Sequence, residues 1–212
     1  MMPGMRSLSI MPRRHAAALL ARCLPWLAIS LAVVALVARA DAAPKKKYHF
    51  EILAVTAKSE VKPDVAKTAI ARVQKQLEKA MAASDQLVAT LDDAPARDAS
   101  PDSWRRYLAK KGIAGVYLVT VELTEAWEKV EPSDKPNTQR LVAHVAIHML
   151  GETVPGRTMG FTGDGQATVK QEVDMKIRDR DREYTWDGAA ETAVGNALNE
   201  CFTKLARPAH KP

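Results

Sequence analysis

"YLAKKGIAGVYLVTVEL" (residues 107–123) ends one helix and begins a strand directly after it. Ser100 and Pro101 predict the start of that helix, since serine caps a helix amino terminus and proline fits its first turn. Gly112 predicts its end. Beyond the glycine, four side chains at alternate positions share one face: Tyr117, Val119, Val121 and Leu123. Polar residues such as Glu122 point the other way, which predicts a sheet covered on one face and partly solvated on the other.

Upstream of this stretch the sequence predicts two strands and one helix. Residues 48–57, "YHFEILAVTA", have the β-branched and aromatic content of a strand. Pro63 and Asp64 begin a helix, in which apolar residues recur at helical spacing. These residues are Val65, Ala69, Ile70, Val73, Leu77 and Met81. Residues 85–91, "DQLVATL", predict a second short strand, and 92–99 have the composition of a loop.

Downstream, strands are followed by a closing helix. "TQRLVAHVAIHML" (138–150) is predicted to be a strand, and 151–177 contain one or two more. Within them the glycine-rich "GFTGDGQ" (160–166) lacks the spacing of a phosphate-binding loop and predicts a tight turn. The last helix runs from about 187 to 206. The predicted order is β-α-β-α-β-β-(β)-α, an α+β fold that forms a single two-layer α/β sandwich, with a mixed sheet and about three helices on one face.

The first 40 residues have the features of a secretory signal. The apolar stretch 24–38 would form about 22 Å of helix, against a hydrocarbon core of about 30 Å. Arginines but no acidic residues precede it, and small residues at 38–43 offer cleavage positions. Cys23 lies before the apolar stretch, where no lipidation motif would place it. We predict a cleaved signal peptide (1–40), a basic lead-in (41–47), one α/β domain (48–206) and a tail (207–212), with a retained signal anchor as the alternative.

Export changes the meaning of the net charge. The chain has 31 Lys and Arg residues against 25 Asp and Glu, a net charge of +6. Five of the arginines and none of the acids fall within 1–40, so the rest carries 26 basic and 25 acidic residues. The basicity therefore does not predict a nucleic-acid partner. Only Cys201 would remain after processing, which excludes an internal disulfide and predicts a buried structural thiol.

His144 and His148 are the pair most suggestive of a site. On a helix this spacing would place both imidazoles on one face, ready for zinc. On the predicted strand they also share a face but stand about 13 Å apart, which is too far for one metal ion. We therefore predict no metal and no cofactor. Together with Glu122, the two histidines form a polar sheet face that an exported hydrolase or a small-ligand-binding domain could use. No serine stands in a nucleophile-elbow context, so no catalytic residues are predicted.

The helix before Gly112 carries the candidate interaction surface. Trp104, Tyr107, Arg105 and Arg106 are grouped on this short segment, and large aromatic and arginine side chains contribute strongly to protein interfaces. A core position is the alternative for Trp104. The charges of "RRYLAKK" (105–111) could bind phosphate, but a solvated helix face explains them more simply.

Four segments of the chain resemble one group of envelope domains. "FEILAVTA" (50–57) stands where those domains have their opening strand, and "YLAKKGIAGVYLVTVEL" resembles their helix, glycine and strand. "HVAIHMLGETVPGRTMGFTGDGQA" (144–167) resembles their strand pair, and "AAETAVGNALNECFTKL" (189–205) their closing alanine-rich helix. The group comprises the amino-terminal domain of TolB, the periplasmic domain of the curli-secretion channel lipoprotein and the lipoprotein activators of penicillin-binding proteins. The resemblance covers 48–206.

This resemblance implies an exported, non-enzymatic domain that supports cell-envelope assembly or regulation through protein-protein contacts. Its partners would be envelope proteins, with no nucleic acid and no stable membrane span after signal cleavage. The implied localisation is periplasmic or secreted. The chain departs from the group because it lacks a lipidated cysteine, which puts outer-membrane anchoring in doubt.

Overall fold

The structure is a computed structural model that describes residues 45–207. The signal-peptide prediction (1–40), most of the predicted lead-in and the end of the tail (208–212) lie outside the described residues. Four strands and three helices form within them. In chain order these are β1 (Lys47–Ala57), α1 (Pro63–Ala83), α2 (Pro101–Lys111), β2 (Ile113–Pro132), β3 (Thr138–Thr153), β4 (Met159–Asp174) and α3 (Asp179–Ala206).

The four strands form one mixed sheet in the order β1-β2-β3-β4. β1 and β2 are parallel because the chain crosses between them through α1 and α2, whereas β2, β3 and β4 are antiparallel neighbours. The predicted α+β sandwich with a mixed sheet is thus confirmed. β2 extends to Pro132, well beyond the predicted strand, so that β2 and β3 form a long hairpin.

The main core lies between one face of the sheet and the helices α1 and α3. The apolar side chains of β2 that were predicted to share a face do so, and Val119, Val121 and Leu123 are fully buried. Against them pack the apolar stripes of both helices. The helix side chains in this core include Ala69, Val73 and Leu77 of α1 and Ala190, Val194, Ala197 and Cys201 of α3.

Helix α2 packs on the opposite face of the sheet, which corrects the prediction of about three helices on one face. Val116 and Leu118 alternate with Tyr117 and Val119 along β2, so they point away from α1 and α3. They are buried by α2, whose Trp104 contacts them in a second, smaller core. The α2 boundaries are as predicted: the Ser100 hydroxyl accepts from the Ser103 N–H, and Gly112 ends the helix at a φ of 66°.

Residues 85–91 do not form the predicted second strand. Leu87 makes a single bridge to Tyr48, where the Val88 N–H donates to the Tyr48 carbonyl (2.8 Å) and the Tyr48 N–H donates to Gln86 (2.8 Å). The segment then leaves the edge of β1, so pairing ends before a strand can extend.

Helix α3 begins at Asp179, earlier than the predicted start near 187. The Asp181 carboxylate accepts from the Arg178 N–H (3.0 Å), which satisfies a backbone group at the helix start. Thr185 and Trp186 are buried in this added segment. The tertiary contacts of these first turns therefore extend the helix through residues 179–186, a charged segment that lies outside the predicted helix.

Gly163 and Gly165 lie inside strand β4 and not in the predicted turn, because helix α3 crosses the strand there at close range. A Cβ at Gly163 would stand 2.6 Å from the carbonyl oxygen of Ala197, and one at Gly165 would overlap the carbonyl oxygen of Ala193. These glycines serve the packing of helix on sheet.

Candidate functional site

The sheet face opposite α1 and α3 carries the polar side chains predicted as a candidate site. We call it the open face and define it by the following residues: Glu122 and Trp127 of β2, His144 and His148 of β3, and Asp164 and Thr168 of β4. The strand register places them in two cross-strand rows. One row joins Glu122, His148 and Asp164, and the other joins Trp127, His144 and Thr168.

In the first row, His148 is hydrogen-bonded to Asp164. The distance from His148 Nδ1 to Asp164 Oδ1 is 2.7 Å, and the side chains are 37% and 66% exposed. The Asp164 backbone N–H donates to Glu200 Oε2 at 2.7 Å. Hydrogen bonds from the Lys204 ammonium and from this N–H hold the pKa of Glu200 below its usual value. The pair is thus a hydrogen-bonded imidazole and carboxylate at a position that solvent reaches.

Neither serine nor cysteine accompanies this pair on the described strands. Strands β1 to β4 contain no serine and no cysteine, and the Glu122 carboxylate across the row lies 3.9 Å from the Lys58 ammonium. A histidine-carboxylate pair alone supplies general acid-base chemistry and would need to activate water to hydrolyse a substrate.

In the second row, the His144 imidazole stacks on the Trp127 indole. The ring centroids are 5.0 Å apart and the planes differ by 14°. His144 Nδ1 lies 2.8 Å from Thr168 Oγ1, and Trp127 Nε1 donates to the Glu125 carboxylate at 2.8 Å. The Lys129 ammonium stands 5.0 Å from the centre of the indole ring. Partners on all sides therefore fix both rings in place before any ligand arrives.

Beyond this row, ion pairs between side chains of β2 and β4 cover the sheet face. The Glu131 carboxylate pairs with Lys129 at 2.8 Å and with Lys170 at 3.3 Å, and these hydrogen bonds lower its pKa. The long side chains lie over Val142, which is fully buried although it points to this face. The region available to a ligand is therefore the part between the two rows.

His144 and His148 belong to separate clusters, as a strand requires. The prediction that 138–150 form a strand is confirmed, and four residues of extended chain separate the imidazoles by about 13 Å. Within the part of the chain that the structure describes, no three His, Cys, Asp or Glu side chains are grouped as a metal site would need.

Two of the four residues predicted as an interaction surface lie in the core instead. Trp104 is 3% and Tyr107 9% exposed. Trp104 Nε1 donates to the Ala96 carbonyl (3.1 Å) and the Tyr107 hydroxyl donates to the Asp92 carbonyl (3.0 Å). The helix turns both rings inward because they are three positions apart on one face. Arg105 and Arg106 are exposed, and their role at an interface stays a prediction.

Sequence reasoning missed Asp164 and Thr168, and it did not pair Trp127 with His144. Asp164 sits between two glycines, a pattern that predicts a turn. Only the antiparallel register of β3 and β4 brings it to His148, and the register depends on the turn at 154–158. The turn at 154–158 is the one feature of the sequence from which the register of β3 on β4, and so the position of Asp164, could have been assigned.

The Cys201 thiol is expected to be inert in the folded protein. It is fully buried under β4, and burial raises its pKa to about 12, so about one thiol in ten thousand is ionised at pH 8. A thiol-reactive dye should leave Cys201 unmodified in buffer and modify it in guanidinium chloride. Gln166→Cys, on an exposed position of β4, is the matched control and should react in buffer. Labelling of Cys201 at the rate of the control would contradict its burial.

No helix of the described residues is long and apolar enough to cross a membrane. No family model matches the chain, and no curated protein matches it significantly.

In fold the chain is similar to several bacterial proteins of known structure, two of which are lipoproteins. A minor lipoprotein from Acinetobacter baumannii is 10% identical, with a TM-score of 0.34 over 77% of this chain and 98% of that one. The rare lipoprotein B from Shewanella oneidensis is 10% identical, with a TM-score of 0.33 over 71% and 91%. A protein from Xanthomonas campestris is 8% identical, with a TM-score of 0.41 over 77% and 90%.

Proposed function

We propose that this chain is an exported, non-enzymatic binding module that supports cell-envelope assembly or regulation through protein-protein contacts. The open face, defined above, is the binding surface, and envelope proteins are the partners. The observation that carries the proposal is the Trp127–His144 stack, held between Thr168, Glu125 and Lys129 on a sheet face that neither α1 nor α3 covers. As in the TolB, curli-channel and activator domains that the sequence resembles, the task would be contact with other envelope proteins.

The chemistry of the open face suits a protein partner. Aromatic rings whose conformation is already fixed lose little entropy on binding, and such rings often dominate interface energetics. Hydrogen-bond donors and acceptors surround the stack, on His148, Asp164 and Glu122. Beyond the stack, the ion pairs of Glu131 with Lys129 and Lys170 lie over Val142, which keeps that part of the surface polar.

A photo-crosslinking experiment in the native cell envelope tests this proposal. A photoreactive residue is placed at Gln166 on the open face or at Lys67 on the outer surface of α1, in a carboxy-terminally tagged chain. We expect one or two envelope proteins to be captured from position 166 and not from position 67. The Trp127→Ala variant should lose the capture while its thermal unfolding midpoint stays within a few degrees. The amino-terminal peptide of the recovered chain would report whether the leader is removed near residue 40.

Equal capture from both positions, or none from position 166, would overturn the role of the open face. Capture that survives Trp127→Ala would remove the stack from the interface even if a partner is found.

The alternative, an exported hydrolase or small-ligand-binding domain, is favoured by one observation, the hydrogen bond between His148 and Asp164. A hydrolase would lose its activity when His144 and His148 are both replaced by alanine, while the fold persists. A small ligand would instead raise the unfolding temperature in a saturable way. A processed chain that captures no protein but shows either behaviour would support this alternative.

A further inference from the structure

Two basic segments that lie far apart in the sequence meet at one end of the sheet. Lys46 and Lys47 stand at the start of β1, and Lys110 and Lys111 end helix α2. The parallel register pairs Lys47 with Ile113, only two positions after Lys111. Because neighbouring strands lie about 5 Å apart, the two segments are adjacent. The sequence presents them as separate solvated stretches, and the fold makes them one surface.

We call this surface the basic end and define it as Lys46, Lys47, Arg105, Arg106, Lys110 and Lys111. All six side chains are exposed. Within residues 45–207, Arg105 is the member that pairs with a carboxylate, at 2.8 Å from Asp102. The Arg106 guanidinium donates to the Asp102 carbonyl, and the Lys111 ammonium stands 5.8 Å from the Tyr107 ring centre.

The charge of the basic end is local and does not reflect the whole domain. Residues 41–212 are close to neutral, with 26 basic and 25 acidic side chains. The acidic residues nearest along the chain are Asp102, which pairs with Arg105, and Glu51, which pairs with Arg97. The other five cations have no carboxylate partner among residues 45–207, and on a nearly neutral domain they create a one-sided positive field.

We propose that the basic end binds the anionic phospholipid headgroups of a bilayer. The first reason is charge complementarity, since each basic side chain near an anionic membrane adds to the attraction. The second is proximity in the sequence. In a chain that retains the leader as an anchor, only residues 39–44 separate the apolar stretch 24–38 from Lys45.

A bilayer surface fits these residues better than a single phosphate does. Four of the six are lysines, whose flexible, hydrated ammonium groups act as point charges and do not form a fixed fork around one anion. Exposed charges of this kind respond to a surface of many anions, and salt screens the attraction over about 10 Å at 0.1 M ionic strength. The proposal is independent of the open face.

Vesicle flotation tests the proposal with the tagged full chain recovered from the envelope. Vesicles of phosphatidylcholine alone are compared with vesicles that contain phosphatidylglycerol. The test variant replaces Lys46, Lys47, Lys110 and Lys111 with glutamine. The control variant carries the same change in net charge and replaces Lys62, Lys67, Lys79 and Lys176 with glutamine. Thermal unfolding of each variant checks that the fold is intact.

We expect binding to phosphatidylglycerol vesicles that falls at least about ten-fold in the test variant and in 0.5 M salt, with the control variant close to the parent. Equal binding to both kinds of vesicle would overturn the proposal, because it would assign the affinity to the apolar stretch. A test variant that binds like the parent would also overturn it. So would tighter binding of an RNA oligonucleotide at 0.15 M salt, which would identify a general polyanion surface.

Discussion

Gly165→Ala is expected to destabilise the protein by about 3 kcal/mol, although alanine is intrinsically the better residue in a strand. A Cβ at this position would overlap the carbonyl oxygen of Ala193 and stand 2.8 Å from the Ala197 nitrogen. Both are backbone atoms of helix α3, so no side-chain rotation relieves the clash. The helix must move away from β4, and the packing between them is lost along its length. In thermal unfolding followed by circular dichroism, the midpoint should fall by about 9 °C.

Gly195→Ala is the matched control for this substitution. The same methyl group is added, in the middle of α3, where nothing lies within 4 Å of the new atom. Alanine in a helix interior is favoured over glycine by about 1 kcal/mol, so this variant should be more stable than the parent. A loss of stability in Gly165→Ala together with a gain in Gly195→Ala would identify the close approach of α3 to β4. A Gly165→Ala variant as stable as the parent would contradict that approach.

Trp104→Ala is expected to cost about 4 kcal/mol in the free energy of unfolding. The ring fills the second core beneath α2, where it contacts Tyr107 edge to face with centroids 5.9 Å apart. Its removal also leaves the Ala96 carbonyl without its donor. Chemical denaturation should measure this loss of stability. Hydrogen exchange should show the largest loss of protection in α2.

Arg105→Ala is the control, one position along the same helix. Its guanidinium is exposed and pairs with the exposed Asp102, so its removal should change stability by less than about 0.5 kcal/mol. A loss of partner binding in this variant would support an interface role for the arginines of α2. A Trp104→Ala variant that kept the parent's stability would show that the ring is not in a core.

The local sequence predicted those elements whose ends are capped by their own residues. Ser100, Pro101 and Gly112 act within one or two turns of α2, so its limits could be read from the chain. The strand at 138–150 could also be assigned, since alternation is a property of neighbouring residues. Residues 85–91 were assigned wrongly, because a strand needs a partner along its length and this segment meets β1 at a single bridge.

The candidate site was predicted in part for the same reason. Glu122, His144 and His148 could be placed on a polar face from alternation alone. Asp164 and Trp127 come from other strands, and their contacts with the histidines depend on the registers of β2 on β3 and of β3 on β4. A shift of one residue in either register would send these side chains to the other face.

The sequence by itself determined the α+β class, the start of α1, the limits of α2, the alternation of β2 and β3, and a pattern typical of a secretory leader. Each depends on residues close together in the chain. Tertiary structure alone decided that α2 packs opposite α1 and α3, that Gly163 and Gly165 make room for a helix, and that Lys47 pairs with Ile113 beside the end of α2. These features depend on distances between segments far apart in the chain. Only the packing of the whole sheet sets such distances.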